Sequence, residues 1–371
     1  MATFTGNLNS NEIFATLYNM IISQQVFADN IASTGSELVN MAKVDGSLYG
    51  DQKLYYSTEI LGSTEWGNDA EAMNLLALHR PVAPECQAIV LDQFRQISLT
   101  VDNYLSKRAW GTEGAFGSFN SVMLGWIGET KRVYEAKLFN TFIGTNTADG
   151  TAQNITLSAT PSDLEGEAVF RYEAQNIART LADLYVALAD AGRDYNDLGN
   201  YRSFAKEDMV VVWNSAQVNK ITKLDLPTVF HKDIDLSFKH SLPAKYFGTV
   251  KTTGGTIPSG SANTTIRSLI EKDYNTVAPS HENYVKSLHI FPGDLIPAGQ
   301  SYGAYEAYEE DATVVCKIYH KRAVPFMSAF EVGTSFFNPK SLTENRYLTW
   351  GYNTLENLAN YPFITIKAPQ A

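Results

Sequence analysis

Cysteine is almost missing: Cys86 and Cys316 are the only two in 371 residues. Two are too few for a disulfide framework or a thiolate zinc site, and such usage fits a reducing compartment. Clustered positive charge is missing too. The formal net charge is −11 and the densest basic stretch is "HKR" at His320 to Arg322, read as a solvated strand end. A chain of that balance does not have the gripping of phosphates as its main business, because nonspecific nucleic-acid affinity comes from clustered Lys and Arg. No segment approaches eighteen uninterrupted apolar residues, and "MATFTGNLNSNEIF" lacks a cationic region followed by an apolar core, so the reading is a soluble protein kept inside a cell. The sequons at Asn154 and Asn263 are then accidental.

The usual signatures of catalysis are also absent. The six histidines, His79, His231, His240, His281, His289 and His320, include no i, i+4 pair to clasp a metal from one helix face. "HKDID" around His231 reads as a charged turn. No G-x-S-x-G elbow occurs, and the small-residue loop 251–265 has Gly254, Gly255 and Gly260 without the Lys-Ser/Thr pair that would hold phosphate and magnesium. "YEAYEEDA" gathers Glu306, Glu309, Glu310 and Asp311 without EF-hand spacing, and is read as a solvated acidic loop.

What the chain does have is apolar and aromatic substance. Its 44% hydrophobic content is enough for a sizeable core, and 12% aromatic against 19% charged residues opposes disorder and favours packing or contact surfaces. The spacing predicts an amphipathic helix over 9–27, with Asn9 and Glu12 as a capping box and Ile13, Leu17, Met20 and Ile21 on one face. Turn signals at Asp45-Gly46 and Gly50-Asp51 precede a strand from Lys53 to Ile60. A second long strand over 85–105 pairs with it as a two-stranded arm, its tip between Gly62 and Pro84. An isolated ribbon is marginal in water, so the arm needs something to lie on.

A long helix follows over 119–145, where Phe119, Val122, Met123, Trp126, Ile127, Val133, Tyr134, Leu138 and Phe142 form one apolar stripe. Gly125 and Gly128 mark a bend or a close backbone approach on it, and Lys131, Arg132, Glu135 and Lys137 line its solvated or subunit-facing side. After a polar connector with a short strand at 155–157, a second helix is predicted over 165–191. It buries Phe170, Ala174, Ile177, Leu181, Leu184 and Leu188, and Gly192 caps it. "DMVVVWN" reads as a buried strand feeding a helix capped by Ser215, and further strands are expected at 285–291, 313–319 and 363–366. The order is not the steady βα alternation of a barrel or dinucleotide fold, so the fold class is α+β.

This layout resembles a tailed-bacteriophage major capsid protein. The stretches that carry the resemblance are "SELVNMAKVDGSLYGD", the long hairpin, "RAWGTEGAFGSFNSVMLGWIGETKRVYEAKLFNTFIGT", "DMVVVWNSAQVNKI" and "NPKSLTENRYLTWGYNTLENLANYPFITIKA". It covers nearly the whole chain through element order and loose patterns. The fold it implies is the Hong Kong 97 type: an N-terminal arm over 1–45, an extended hairpin over 46–106, a peripheral domain with the spine helix over 107–165 completed by 324–371, and an axial α/β domain over 166–323. It further implies contacts between copies through Lys53, Tyr55, Trp66, Phe94 and Arg95 of the hairpin, with Trp126, Arg132 and Tyr134 on the spine helix. The implied function is structural, without catalysis, cofactor or metal: an icosahedral head shell around double-stranded DNA. Its partners would be many copies of itself as hexamers and pentamers, with scaffolding, portal and minor capsid proteins. DNA would be touched only loosely and membranes not at all, and assembly would occur in the host cytoplasm. Some relatives cross-link a hairpin lysine to an asparagine, but no local motif assigns an acceptor for Lys53, and no scaffolding extension precedes the arm. Two other functions fit the residues less fully: an encapsulin-like nanocompartment shell, and a carbohydrate-active enzyme using paired carboxylates among the 40 acids.

Overall fold

The computed structural model of the chain describes residues 36–46, 51–63, 65, 78–102, 113–221, 240–261, 265–274, 288–303 and 306–369. The expected helix over 9–27, the turn at His231 and Trp66 lie outside the described residues. The helices are α1 (Ser36–Ala42), α2 (Glu113–Thr145), α3 (Glu167–Ala189) and α4 (Ser215–Ile221). The strands of the first half are β1 (Gln52–Ser57), β2 (Glu85–Asp102), β3 (Asn154–Thr156), β4 (Met209–Asn214), β5 (Ser241–Leu242), β6 (Gly248–Val250), β7 (Gly255–Thr256) and β8 (Ile266–Ser268). Those of the second half are β9 (Lys272–Tyr274), β10 (Leu288–Ile290), β11 (Ser301–Tyr302), β12 (Ala307–Glu310), β13 (Val314–His320), β14 (Ser328–Asn338), β15 (Thr343–Asn353) and β16 (Phe363–Lys367).

The core is organised by a five-stranded sheet in the order β3-β16-β13-β4-β5. Side chains alternate across a strand, and here both faces are apolar. Val210, Val212, Val314, Tyr319 and Phe363 join a core built on α1 and α2, while Trp213, Cys316, Ile318, Ile364 and Ile366 join one built on α3. A strand buried on both faces reads as a continuous apolar run, which is why "DMVVVWN" and the segment from Phe363 were legible in the sequence. On α3 the face Ala174, Ile177, Leu181, Leu184 and Leu188 is buried as its spacing predicts. Each fully buried Leu contributes about 1.5–3 kcal/mol relative to exposure.

Several local expectations are corrected. Phe170, in the first turn of α3, is exposed, and the buried face begins only at Ala174. The cap of α3 is Asp190, not Gly192; Gly192 instead pairs with Arg202 in an isolated bridge. At the start of α4 the side chain that accepts a backbone N–H, from Ala216, is that of Asn214 rather than Ser215. His320 is buried, stacked on Tyr361 with ring centres 4.6 Å apart, so it is no solvated strand end; its desolvation pushes its pKa down to about 4.

At 33 residues α2 is about 50 Å long. Its last turns are buried on all sides, with Tyr134, Phe139, Asn140, Thr141, Ile143 and Thr145 all enclosed. The single stripe read from the sequence therefore fails there, and it fails also at Trp126, a member of the stripe that is 44% exposed while Ile127 beside it is buried. The close backbone approach also falls elsewhere than expected. A Cβ at Gly125 or Gly128 would meet nothing within 4 Å, whereas one at Gly144 would lie 2.1 Å from the Tyr246 carbonyl oxygen. Glu135 is buried rather than solvated, and Lys131 and Lys137 engage Glu331 and Asp294 of the same chain; Arg132 alone of the four is exposed, pairing with Glu129 at 2.7 Å.

The acidic stretch is not a solvated loop. It includes β12, the middle strand of the sheet β6-β12-β8, and each of its acids meets a base: Glu306 with Lys272, Glu309 with Lys251, Glu310 with Arg267 and Asp311 with Lys367. Neighbouring strands bring the bases alongside, a pairing that sequence order cannot show. Loop 251–265 is likewise less polar than it reads, since Ile257 is buried against Ile296 and Ala307.

Candidate functional site

The surface that sets this chain apart is a ribbon, and it is wider than the sequence suggests. β1 and β2 pair antiparallel from Gln52↔Val90 to Ser57↔Glu85. β2 then runs on through eleven further paired positions against β15, from Leu91↔Asn353 to Asp102↔Thr343, and β15 pairs in turn with β14. The result is a four-stranded sheet in the order β1-β2-β15-β14. The expected two-stranded arm is thus corrected over much of its length: the C-terminal hairpin of the same chain supplies the third and fourth strands. β2, at 18 residues, spans about 60 Å.

Local rules explain how the ribbon is shaped. A bulge between Ala329 and Val332 puts Phe330 at φ 55°, a left-handed conformation disfavoured for a bulky residue. Its ring stands edge-on to Phe94 of β2 with centroids 5.9 Å apart, an attraction that offsets the backbone cost. Near the other end Leu342, at φ 56°, lies just before β15. The whole of Glu331–Phe337 on the edge strand β14 is exposed, Phe336 by 63% and Phe337 by 50%. An edge with unpaired backbone groups and exposed aromatics invites pairing with another chain.

A second apolar strip lies at the β1 end. Leu54 and Tyr56 are exposed on β1, as is Val90 on β2; beyond the paired segment Ile60, Leu61, Leu78 and Val82 are exposed as well. Between the N-terminal half of α2 and the ribbon runs an open groove of about 480 Å³, lined by Ile127, Gly128, Gly333, Glu344, Arg346 and Tyr347. Gly128, one of the two open glycines of α2, therefore lines this groove.

The residues named from the sequence fall into two groups. Lys53 and Tyr55 are half-buried on β1, and burial is the chief reason the Tyr55 phenol is pushed above its ordinary range. Phe94, 38% exposed, lies on the sheet against Phe330, and Trp126 and Arg132 are exposed on α2. Arg95 and Tyr134 turn inward together. The Arg95 guanidinium lies 5.5 Å from the centre of the Tyr134 ring, and the Tyr134 and Tyr352 hydroxyls share a hydrogen bond of 2.5 Å. Arg95 also faces the Glu271 carboxylate at 3.9 Å, and His289 Nε2 lies 2.7 Å from the same carboxylate. This network ties β2 to α2, β15 and the β9–β10 hairpin.

Residues that the sequence did not single out hold the base of the hairpin. Ser57 Oγ donates to Asn360 Oδ1 at 2.9 Å, Arg202 reaches Ser57, the Thr58 carbonyl and Asn360, and Arg193 pairs with Glu59 at 2.9 Å. These partners lie 134 to 303 positions apart, so no local pattern could reveal them. Among the described residues no group of three or more His, Cys, Asp or Glu could hold a metal ion, and no helix is long and apolar enough to cross a membrane. Cys86 is exposed and Cys316 buried.

No protein-family model matches the chain. No curated protein sequence matches it either. Solved structures do. The chain is similar, at 10% identity and a TM-score of 0.60, to a chain in a structure of the head fiber and inner core protein gp22 of native bacteriophage P68, over 92% of this chain and 87% of that one. It is similar in the same way to a chain in the capsid structure of Staphylococcus phage Andhra, at 12% identity and a TM-score of 0.60, over 93% and 87%. At such identities the likeness is one of fold: this chain has the α+β fold found in phage heads and capsids.

Proposed function

We propose that the chain is the major capsid protein of a tailed phage, a structural subunit that assembles in many copies into the closed head shell around double-stranded DNA. The observation that carries this reading is a fold shared with phage head and capsid structures over more than nine-tenths of the chain, at a TM-score of 0.60. A second supports it. A ribbon with exposed Phe336, Phe337, Leu54 and Tyr56, uncovered among the described residues, is a surface that a neighbouring copy completes, and repeated contacts of that kind close a shell.

In this reading residues 1–45 are the N-terminal arm, although the part in α1 already packs Leu38, Val39 and Ala42 into the chain's own core. Residues 46–106 are the extended hairpin, 107–165 with 324–371 the peripheral part, and 166–323 the axial part. β3 and β16 then form the seam, since both belong to the sheet that holds β4 and β13. The subunit works without catalysis or cofactor. Lys53, Tyr55, Trp66, Phe94 and Arg95 contribute to contacts between copies, Arg95 indirectly by bracing β2. The net charge of −11 suits an inner wall that touches packed DNA only loosely. Scaffolding, portal and minor capsid proteins are its other partners. Assembly takes place in the host cytoplasm and the product resides in the virion.

Expression followed by size-exclusion chromatography and electron microscopy tests the proposal. Capsomers or shells are expected. Deleting residues 62–84 should abolish assembly while the purified chain keeps its helical circular dichroism; a wild-type chain that stays monomeric at high concentration and in the presence of its co-encoded head proteins refutes the reading.

A further inference from the structure

Three consecutive residues where β1 ends, Ser57, Thr58 and Glu59, are gripped by the loop between α3 and β4. Arg202 donates to Ser57 Oγ, to the Thr58 carbonyl and, through Nε, to Asn360 Oδ1 at 3.0 Å; Asn200 Nδ2 donates to Ser57 Oγ at 3.0 Å. Arg193 adds an ion pair to Glu59, and Glu59 also accepts from the Tyr201 backbone N–H. The loop is shaped before it grips. Gly192 and Arg202 exchange both backbone hydrogen bonds, Asn196 spans to Asn200 through both its amide groups, and Arg193 stacks on Tyr201 at 4.2 Å. Gly199, at φ 65°, supplies the turn.

The grip is polar and shallow. Beneath it lies a cavity of about 140 Å³ lined by Tyr55, Cys86, Gln87, Leu198, Leu358 and Tyr361, among others, so the base of the hairpin rests on the body without filling the space below. The pairing of β1 with β2 ends at Ser57↔Glu85, and the described residues just beyond lie outside regular structure, Thr58 and Ile60 exposed and Glu59 half-buried between them. Ser57–Glu59 is therefore where β1 is held to the body, ahead of the 25 residues from 60 to 84 that join the strands. Twenty-five residues looping out and back span at most about 42 Å, so the angle set at Ser57–Glu59 decides where they can reach.

We propose that the loop from Gly192 to Arg202 is a cradle that sets the direction in which the hairpin leaves the body, with Arg202 as the positioning residue and the Glu59–Arg193 pair as the outer clasp. Exposed ion pairs and single polar contacts are individually weak, so this is a joint that holds one angle yet yields when a neighbouring copy pulls on the hairpin. The proposal rests on the shell reading for its purpose but not for its existence, because the joint lies within one chain.

Hydrogen exchange on the unassembled chain, read alongside electron micrographs of the assembled product, provides the test. Arg202→Ala should speed exchange of the amides in Gln52–Ser57 by about tenfold, with the amides of α3 unchanged, and should give irregular or open assemblies. Glu59→Arg and Arg193→Glu should each do the same more mildly, and the double exchange should restore both protection and regular particles, a rescue that a merely structural role for either residue does not produce. Unchanged exchange in all three single variants, or a double variant no better than the singles, overturns the cradle. A wild-type chain that never assembles sinks the shell reading instead, and the exchange experiment still decides the joint.

Discussion

Replacing Lys317 by Met probes a charge placed where charge is costly. Lys317 sits in the middle of β13, in the central sheet, with its ammonium among Phe363, Thr365 and the end of α2. Its Nζ donates to the Asn146 carbonyl at 2.7 Å and to Thr365 Oγ1 at 2.9 Å. Burial first, and then the charge of Lys367, push its pKa down to about 7, against smaller opposing effects of Asp311 and Cys316. In the unfolded chain the same group titrates at 10.5. Between these values the unfolded state binds more protons than the folded one, so stability rises with pH across that window; below pH 7 the full penalty is present, and above 10.5 it is gone. One unit is worth about 1.4 kcal/mol, so the penalty at pH 7 is roughly 4 kcal/mol and falls by about 2 kcal/mol by pH 9. Met of similar length removes the penalty but leaves Asn146 and Thr365 short of a donor, a pH-independent loss of about 1–3 kcal/mol.

Urea unfolding of the unassembled chain at pH 7, 8 and 9 reads this directly. The wild type should gain about 2 kcal/mol on Lys317→Met across the series. Buried Tyr134, Tyr308, Tyr319 and Cys316, all with pKa values raised by burial, lower stability only above their unfolded values and act alike in both proteins. Parallel curves for the two proteins would refute the reasoning, since they would mean that Lys317 keeps its charge at no cost or is not enclosed.

Other positions give contrasting outcomes. Gly144→Ala drives a Cβ into the Tyr246 backbone and should cost more than about 3 kcal/mol or prevent folding. Gly125→Ala and Gly128→Ala meet open space on the same helix and should each stabilise the lone chain by up to about 1 kcal/mol, measured as a rise in melting temperature. Arg267 binds Glu310 at 2.5 Å and the Gly293 carbonyl at 3.1 Å, and Arg267→Ala should lower stability in urea by about 2 kcal/mol by leaving both without their donor.

Much of the fold could be read from the residues because burial leaves a periodic trace. The faces of α3, the double-sided strands β4 and β16, and the strands β1 and β2 all follow from apolar spacing within a few positions, and the α+β order from their succession. The stretches that misled are those where partners come from far away. Glu135, Lys131 and Lys137 read as a solvated face because nothing nearby in sequence says that Glu331 and Asp294 stand opposite them. The acids of β12 looked like a loop for the same reason. Arg202, Glu59 and Asn360 carry no signature, being ordinary polar residues whose meaning is geometric.

The sequence by itself determined the long helices and the most apolar strands, and it carries none of the familiar catalytic motifs. Both are local matters of side-chain periodicity and residue spacing. Only the tertiary structure decided that β2 leaves β1 to run along β15, making a broad ribbon whose outer strand β14 pairs on one side among the described residues, and that the hairpin's base is clasped by a loop more than a hundred residues away. Strand pairing and long-range polar contacts are chosen by the packing of the whole chain, since the backbone of any strand offers the same hydrogen bonds to every partner.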